Sequence, residues 1–377
     1  MKAVGIAFKI LENGEMLPVG YTKINCHIIF DIKPDFTRKA RLVAGGHMTD
    51  PPASITYASV VGRDSVRIAF LLAALNGLDI MVADIGNAYL HAPPRERVYI
   101  ICGREFGEEH VGKRALITRA LYGLKSSGAA WRSHLADVIR DELNFTHCKA
   151  DNDVWMRKAT KPTGEKYYEY LLIHTDDCLV VSMNPKAVLA SINTFFKLKE
   201  GSDGHPTKYL GADIAKYKIG TEEYWSMGSH QYVSEAIKNV ETWLADRDMY
   251  LKKKQAKSVL PSSYRPELDD TQYLDQEYIG YYQEQIGVLR WMVELGRIDI
   301  CGEVSMLAAY CAAPRKGHLE AVIHMFAYLK GHAKSKLVFN PDTVVHTDPP
   351  RLDWTDFYND AKDIDPPDRP EPLGEPV

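Results

Sequence analysis

Asp176 and Asp177 stand side by side between two apolar runs, YYEYLLI (167–173) and CLVVSM (178–183), and a third carboxylate, Asp84, closes the short run LDIMVAD (78–84). Carboxylates gathered in one place repel one another and raise each other's pKa unless a cation intervenes. Hard oxygen donors of this kind suit magnesium or manganese. Two such ions about 4 Å apart can activate an attacking oxygen and stabilise a leaving one, which is the chemistry of nucleotide addition. The competing reading is local, because aspartate is common in hairpin turns where it hydrogen-bonds nearby backbone. Whether Asp84 reaches that turn separates the two.

The elements that must position these residues can be read from pattern. Asp64 is placed to cap a helix through SVRIAFLLAALN that Gly77 stops. LDIMVAD has strand length. Trp131, Leu135, Val138, Ile139 and Leu143 recur at helical spacing, predicting an amphipathic helix over 127–144. The runs 167–173 and 178–183 have the spacing of a hairpin. Asn184-Pro185 starts a helix through KAVLASINTFFKL, and YLGADIAKY (209–217) reads as a further strand. Over 78–217 this gives β-α-β-β-α-β, the split pattern of ferredoxin-like sheets. Right-handed crossovers then place the first and third strands side by side, bringing Asp84 beside the turn that holds Asp176 and Asp177. Beyond about residue 221 the chain reads as a separate, mostly α unit: a helix in MGSHQYVSEAIKNVETWLADRD with Ser229 as its cap, and more helices over 275–331.

The 377 residues, 45% hydrophobic and 25% charged, suit two or three globular domains. No stretch approaches the ~18 consecutive apolar residues of a membrane span. The N-terminus MKAVGIAFKILENGEM lacks the features of a secretory signal. The six cysteines (Cys26, Cys102, Cys148, Cys178, Cys301, Cys311) form no CxxC pair, which points away from zinc and disulfides and toward a reducing intracellular compartment. Cys301 and Cys311 read as small core residues. Of the formal charge of −4, residues 341–377 carry −7 along with eight prolines, leaving +3 on the other 340. Such a tail is expected to be largely disordered in isolation. TRKARLVAGGH (37–47) has three cations and no acid, and LKKKQAK (251–257) has four lysines. These runs permit a polyanionic partner and equally describe solvated faces.

RKARLVAGGH (38–47), ADIGNAYL (83–90), RALYGLKSSGAAW (119–131), HTDD (174–177), YLGADI (209–214) and LKGHAKSKLVF (329–339) occur in the order and spacing of copia-type reverse transcriptases. Residues 5–340, roughly, resemble that family, and the YGLK block with its tryptophan is the most specific piece. The resemblance implies an α+β right-hand polymerase of fingers, palm and thumb with a ferredoxin-like palm. Residues 1–220 would be fingers and palm, 221–260 a thumb-like helical segment, 261–340 a mostly α connection region, and 341–377 an acidic, Pro-rich linker.

The implied activity is RNA-directed DNA synthesis. Asp84, Asp176 and Asp177 match the catalytic carboxylates that bind two magnesium ions, manganese being an alternative, and Ile85 matches a position whose backbone assists metal binding. Gly86, Asn87 and Ala88 match the triphosphate cradle, and Tyr89 matches the steric gate that excludes a 2′-hydroxyl. Lys39 and Arg41 match basic fingers residues that grip the triphosphate, a task suited to arginine's fork. Lys125 matches a position near template or nucleotide, and Leu210-Gly211 the primer grip. Read without the resemblance, Tyr89 is a half-buried strand-end tyrosine, Lys125 a polar turn residue, Gly211 a bulge marker and Trp131 helix core. The implied partners are an RNA template, a DNA primer and dNTPs, with no membrane; a second copy or other segments of the pol polyprotein are candidate protein partners. The implied location is the cytoplasm, in a virus-like particle, or the nucleus, and the protein is not secreted.

Two departures stand out. Copia-type enzymes usually read YVDD where this chain reads HTDD, so His174 and Thr175 replace a tyrosine and an apolar residue. The sequence also ends in what resembles the linker toward a ribonuclease H domain, so neither ribonuclease H activity nor protease or integrase segments are expected of it. The rival readings are a catalytically lapsed remnant or domesticated nucleic-acid-binding protein, and another carboxylate-metal phosphotransferase on a similar sheet.

Overall fold

The computed structural model describes residues 4–12, 14–32, 36–50, 56–251 and 256–343. The chain divides into two compact units, one up to His205 and one from Pro206. The tail beyond residue 343 and most of the lysine run at 252–255 lie outside the described residues.

In the first unit α1 (Val4–Ala7) leads into β1 (Phe8–Ile10), β2 (Thr22–Lys23), β3 (Cys26–Ile32) and β4 (Arg38–Ala44). Then come α2 (Arg63–Asn76), β5 (Asp79–Asp84), β6 (Val98–Ile101), β7 (Arg114–Ile117) and α3 (Ser127–Asp141). The unit closes with β8 (Thr146–His147), β9 (Val154–Thr160), β10 (Lys166–His174), β11 (Asp177–Ser182) and α4 (Pro185–Phe195). These strands build three sheets, ordered β1-β7-β6-β2, β3-β4 and β5-β11-β10-β9-β8.

The five-stranded sheet carries the carboxylates. Its strand β11 is nearly all apolar and buried throughout after Asp177, as suits a strand covered on both faces. On one face Leu171, Ile173, Cys178 and Val180 pack with Trp131, Leu135 and Ile139 of α3 and Val188, Leu189 and Ile192 of α4. Helix α2 packs on β5, β10 and β11. Gly77 ends α2 in the left-handed region (φ 61°) as expected, but Gly62 holds the N-cap position, and Asp64 sits in the first turn pairing with Arg67 at 3.1 Å. Asn184 caps α4 by accepting from the Ala187 amide at 3.1 Å, with Pro185 following as the spacing predicts.

The expected first and third strands are indeed neighbours: β5 pairs antiparallel with β11 from Asp79↔Ser182 to Asp84↔Asp177. The expected fourth strand is not in this sheet. Residues 208–219 form a hairpin in the second unit, because Leu210 (φ 47°) and Gly211 (φ 87°) break the run into β12 (Lys208–Tyr209) and β13 (Ala212–Ile219). Positive φ at both central residues is the type I′ turn, which twists with the strands it joins. The free edge of β5 is covered instead by an irregular segment: Val82 exchanges two backbone hydrogen bonds with Gly204, and the Lys199 amide donates to the Asp84 carbonyl. Strand β9, paired with β10 over seven residues, was not evident from the pattern.

The second unit continues with β14 (Glu222–Gly228), α5 (His230–Ala245), α6 (Gln276–Glu294), α7 (Cys301–Ala308), α8 (Lys316–Gly331) and β15 (Lys336–Val338). Its sheet is ordered β12-β13-β14-β15, and its core joins α5, α6, α7 and α8. Ser229 precedes α5 as expected, but Met227 and Gly228 belong to β14, and the buried Ser229 hydroxyl makes no capping bond. All six cysteines are free; Cys301 is exposed and so is not the core residue expected, whereas Cys311 is half-buried and packs against the core of this unit. Among the described residues no helix is long and apolar enough to cross a membrane.

Candidate active site

Asp84 and Asp177 face each other across the β5–β11 ladder. The Ile85 amide donates to the Asp176 carbonyl at 2.8 Å, which makes the next pair along, Asp84 with Asp177, a non-hydrogen-bonded pair. Side chains opposite each other in such a pair lie closest, with Cβ atoms about 4.5–5.5 Å apart. Asp176 occupies the turn between β10 and β11. The Asp177 carboxyl is pushed up to about 6, first by burial and then by the charges of Asp176 and Asp84. Asp176 is raised by burial and by Asp84, while Lys39 and His174 pull it the other way. Asp84 and the distant pair Asp176–Asp177 therefore feel one another, and Lys39 of β4 acts on Asp176.

That donor set has the chemistry of a divalent-cation site: hard oxygens, mutual repulsion and partial burial. The side chains as placed do not close around an ion. Among the described residues no three His, Cys, Asp or Glu side chains are gathered to hold a metal, and the Lys199 ammonium instead pairs with Asp84 Oδ2 at 2.9 Å. Lys199 supplies the positive charge that this carboxylate requires.

The turn itself is unusual. Thr175 has φ 61° whereas Asp176 does not have positive φ, the pattern of a type II′ turn, whose first central position favours glycine. Left-handed backbone costs an ordinary residue about 1–2 kcal/mol, so contacts around the turn must hold it. The indole N–H of Trp131, a side chain only 1% exposed, donates to the Thr175 carbonyl at 2.7 Å.

After Asp84 the chain turns sharply. Ile85 is fully buried, and the Gly86 amide donates to the Lys197 carbonyl at 3.0 Å. Asn87 is left-handed (φ 54°) and opens a single 3-10 turn over Ala88–His91. Ala88 is buried; Tyr89 is half-buried, its ring edge against Tyr122 at 4.8 Å between centroids. The Tyr89 hydroxyl is raised by burial and then by the charge of Asp176, so this ring lies within electrostatic reach of Asp176. Arg41 pairs with Asp31 across the β3–β4 hairpin at 3.5 Å.

Two of the motif blocks touch through glycine. A Cβ on Gly46 would lie 2.1 Å from the Gly123 carbonyl oxygen, and one on Gly123 2.1 Å from the Ala44 carbonyl oxygen. Only glycine allows backbones this close. The Lys125 ammonium donates to the Thr49 carbonyl at 2.5 Å, fastening the same junction. Leu210 and Gly211 lie in the second unit, at the β12–β13 turn.

Sequence reasoning missed Lys199, the Trp131 hydrogen bond and Glu96, whose carboxylate takes up the Ser126 amide (2.8 Å) and hydroxyl (2.5 Å) at the start of α3. A buried tryptophan must find a partner for its N–H, and that was the available signal for Trp131. The others depend on tertiary placement alone.

A β-hairpin tipped with two aspartates, set against a strand ending in a third and flanked by helices, places the chain among α+β proteins with a carboxylate cluster at one end of a sheet. Residues 13–248 match the family model described as reverse transcriptase (RNA-dependent DNA polymerase), and the chain belongs to that family. It is 25% identical over 352 residues to a retrovirus-related Pol polyprotein from transposon TNT 1-94 of Nicotiana tabacum, covering 88% of this chain and 24% of that protein. It is 23% identical over 335 residues to the truncated transposon Ty1-A Gag-Pol polyprotein of Saccharomyces cerevisiae, covering 86% of this chain and 27% of the relative. A third relative, the Ty1-NL2 Gag-Pol polyprotein of the same yeast, is 23% identical over 330 residues. The chain thus spans about a quarter or less of the length of these relatives. The copia-type family expected from the motif blocks is borne out.

Proposed function

We propose that this chain is the polymerase core of a copia-type reverse transcriptase, extending a DNA primer on an RNA template. The observation that carries the reading is the direct pairing of Asp84 with Asp177 beside Asp176, at one end of a sheet, in a chain of this family. In this reading β5, β10 and β11 with α2, α3 and α4 form the palm, the β3–β4 hairpin forms the fingers, and α5 is thumb-like, followed by a helical connection.

The primer 3′-hydroxyl gives its proton to solvent water and its oxygen attacks the α-phosphorus of a dNTP; a P–O bond forms, the α–β phosphoanhydride breaks and pyrophosphate leaves. Two divalent ions, magnesium or manganese, would be held by Asp84, Asp176 and Asp177 with the Ile85 backbone, and supply Lewis acidity at the attacking and leaving oxygens. Lys39 and Arg41 bind the triphosphate oxygens, and Lys199, released from Asp84, faces the same charges. Tyr89 sits under the sugar and rejects a 2′-hydroxyl. Leu210-Gly211 supports the primer end, and Lys125 braces the fingers junction near the template.

The test is extension of a labelled primer on an RNA template with magnesium and dNTPs, comparing parent with Asp176→Asn. Extension by the parent and none by the variant is expected. Equal rates would overturn the site assignment. A parent that binds primer-template yet adds no nucleotide would establish the second reading, a lapsed nucleic-acid-binding remnant, which the HTDD turn in place of YVDD favours.

A further inference from the structure

Below the carboxylates lies a cluster of rings. Trp131 and His91 have ring centroids 5.9 Å apart, and Phe196 stands edge-on to both, at 5.2 Å from Trp131 and 5.4 Å from His91. Each of the two heterocycles reaches out of this cluster to one backbone carbonyl. Trp131 Nε1 donates to Thr175 O at 2.7 Å, one residue before Asp176. His91 Nε2 lies 3.0 Å from Gly86 O, two residues after Asp84. A carbonyl only accepts, so Nε2 carries the proton and the tautomer is fixed.

These carbonyls belong to two turns at the end of the sheet. Both are loop tips beyond the β5–β11 ladder, and each contains a left-handed non-glycine residue, Thr175 (φ 61°) in one and Asn87 (φ 54°) in the other. Among the described residues, the Ile85 amide to the Asp176 carbonyl is the ladder bond nearest the tips. Phe196 adds a third tie, since the neighbouring Lys197 carbonyl accepts from the Gly86 amide at 3.0 Å. One packed group of rings therefore touches both sides of the carboxylate cluster.

We propose that Trp131 and His91 are positioning residues: an aromatic bracket that sets the Asp84 loop and the Asp176–Asp177 turn at a fixed separation. The inference rests on the polymerase reading for its consequence in catalysis, and on the hydrogen bonds alone for its consequence in structure. The bracket acts only through the backbone it holds and touches no substrate. It also accounts for a threonine at a glycine position: the indole bond compensates for the left-handed turn.

The test uses Trp131→Phe and His91→Phe in the full chain, since each keeps a ring in the cluster and removes the donor. Hydrogen–deuterium exchange is read at the amides of Ile85, Asp176 and Asp177. Exchange roughly threefold to tenfold faster there, with β9 and β10 unchanged, is expected from the loss of one neutral hydrogen bond. Single-nucleotide incorporation is expected to lose kcat by a similar factor while KM for dNTP is unchanged. Parent-like exchange at these amides in both variants would overturn the bracket. A parent that incorporates no nucleotide would sink the polymerase reading and leave the exchange result to decide the bracket by itself.

Discussion

Asp177 shows what burial and neighbouring like charges do to a carboxylate. Its carboxyl is held up at about 6 by burial and by two like charges, against an ordinary value of 3.8. Below pH 3.8 it is protonated in folded and unfolded chains alike and costs nothing. Between 3.8 and 6 the folded state takes up a proton that the unfolded state does not, and above 6 the full charge penalty applies, so this group destabilises the fold most at neutral pH. In chelator-containing buffer Asp177→Asn is therefore expected to be more stable than the parent at pH 7, with the advantage shrinking as pH falls through 6 toward 4. Chemical denaturation at several pH values reads this out, and an advantage that does not change with pH would contradict it. At Tyr89 the expectation concerns sugar choice. The ring is half-buried within electrostatic reach of Asp176 and packed on Tyr122, so Tyr89→Ala is expected to raise ribonucleotide incorporation at least roughly tenfold, the scale of one lost steric contact. Unchanged selectivity between dNTP and rNTP would remove Tyr89 from that role.

Among the elements, the junction of the β4 loop with the segment before α3 joins two glycine-bearing blocks of the chain. Gly46 and Gly123 bring backbones into contact where a Cβ would lie 2.1 Å from a carbonyl oxygen. Gly46→Ala is expected to cost about 3 kcal/mol through forced backbone displacement, measured as a shift in the unfolding midpoint of the first unit. A change below about 0.5 kcal/mol, the range of ordinary surface substitutions, would show that the junction yields easily. Elements specified by local pattern were legible in the sequence: the amphipathic α3, the Asn184-Pro185 start of α4, the apolar β10 and β11, and the strand ending at Asp84. What failed was partner choice. YLGADIAKY has strand composition, but two consecutive residues able to adopt positive φ cut it into a hairpin, and its pairing with β14 rather than β5 is decided by contacts that no local period encodes. Strand β9 escaped because its residues alternate only partly between buried and exposed.

At the scale of the whole molecule, the candidate site was legible as chemistry and only partly as geometry. The convergence of the three aspartates follows from order along the chain once β5 and β11 are neighbours, whereas Lys39 and Tyr89 were indicated by the family resemblance alone. Lys199 on Asp84, the indole on Thr175 and Glu96 on the start of α3 come from segments far apart in sequence and needed the fold. The account as a whole requires that Asp84, Asp176 and Asp177 act together on divalent cations, displacing Lys199 from Asp84. Titration of the full chain with Mn2+, followed by electron paramagnetic resonance, tests this without depending on turnover. The parent is expected to bind Mn2+, and Asp84→Asn and Asp177→Asn are each expected to lose most of that binding while remaining folded. Equal binding by the parent and both variants would contradict the account.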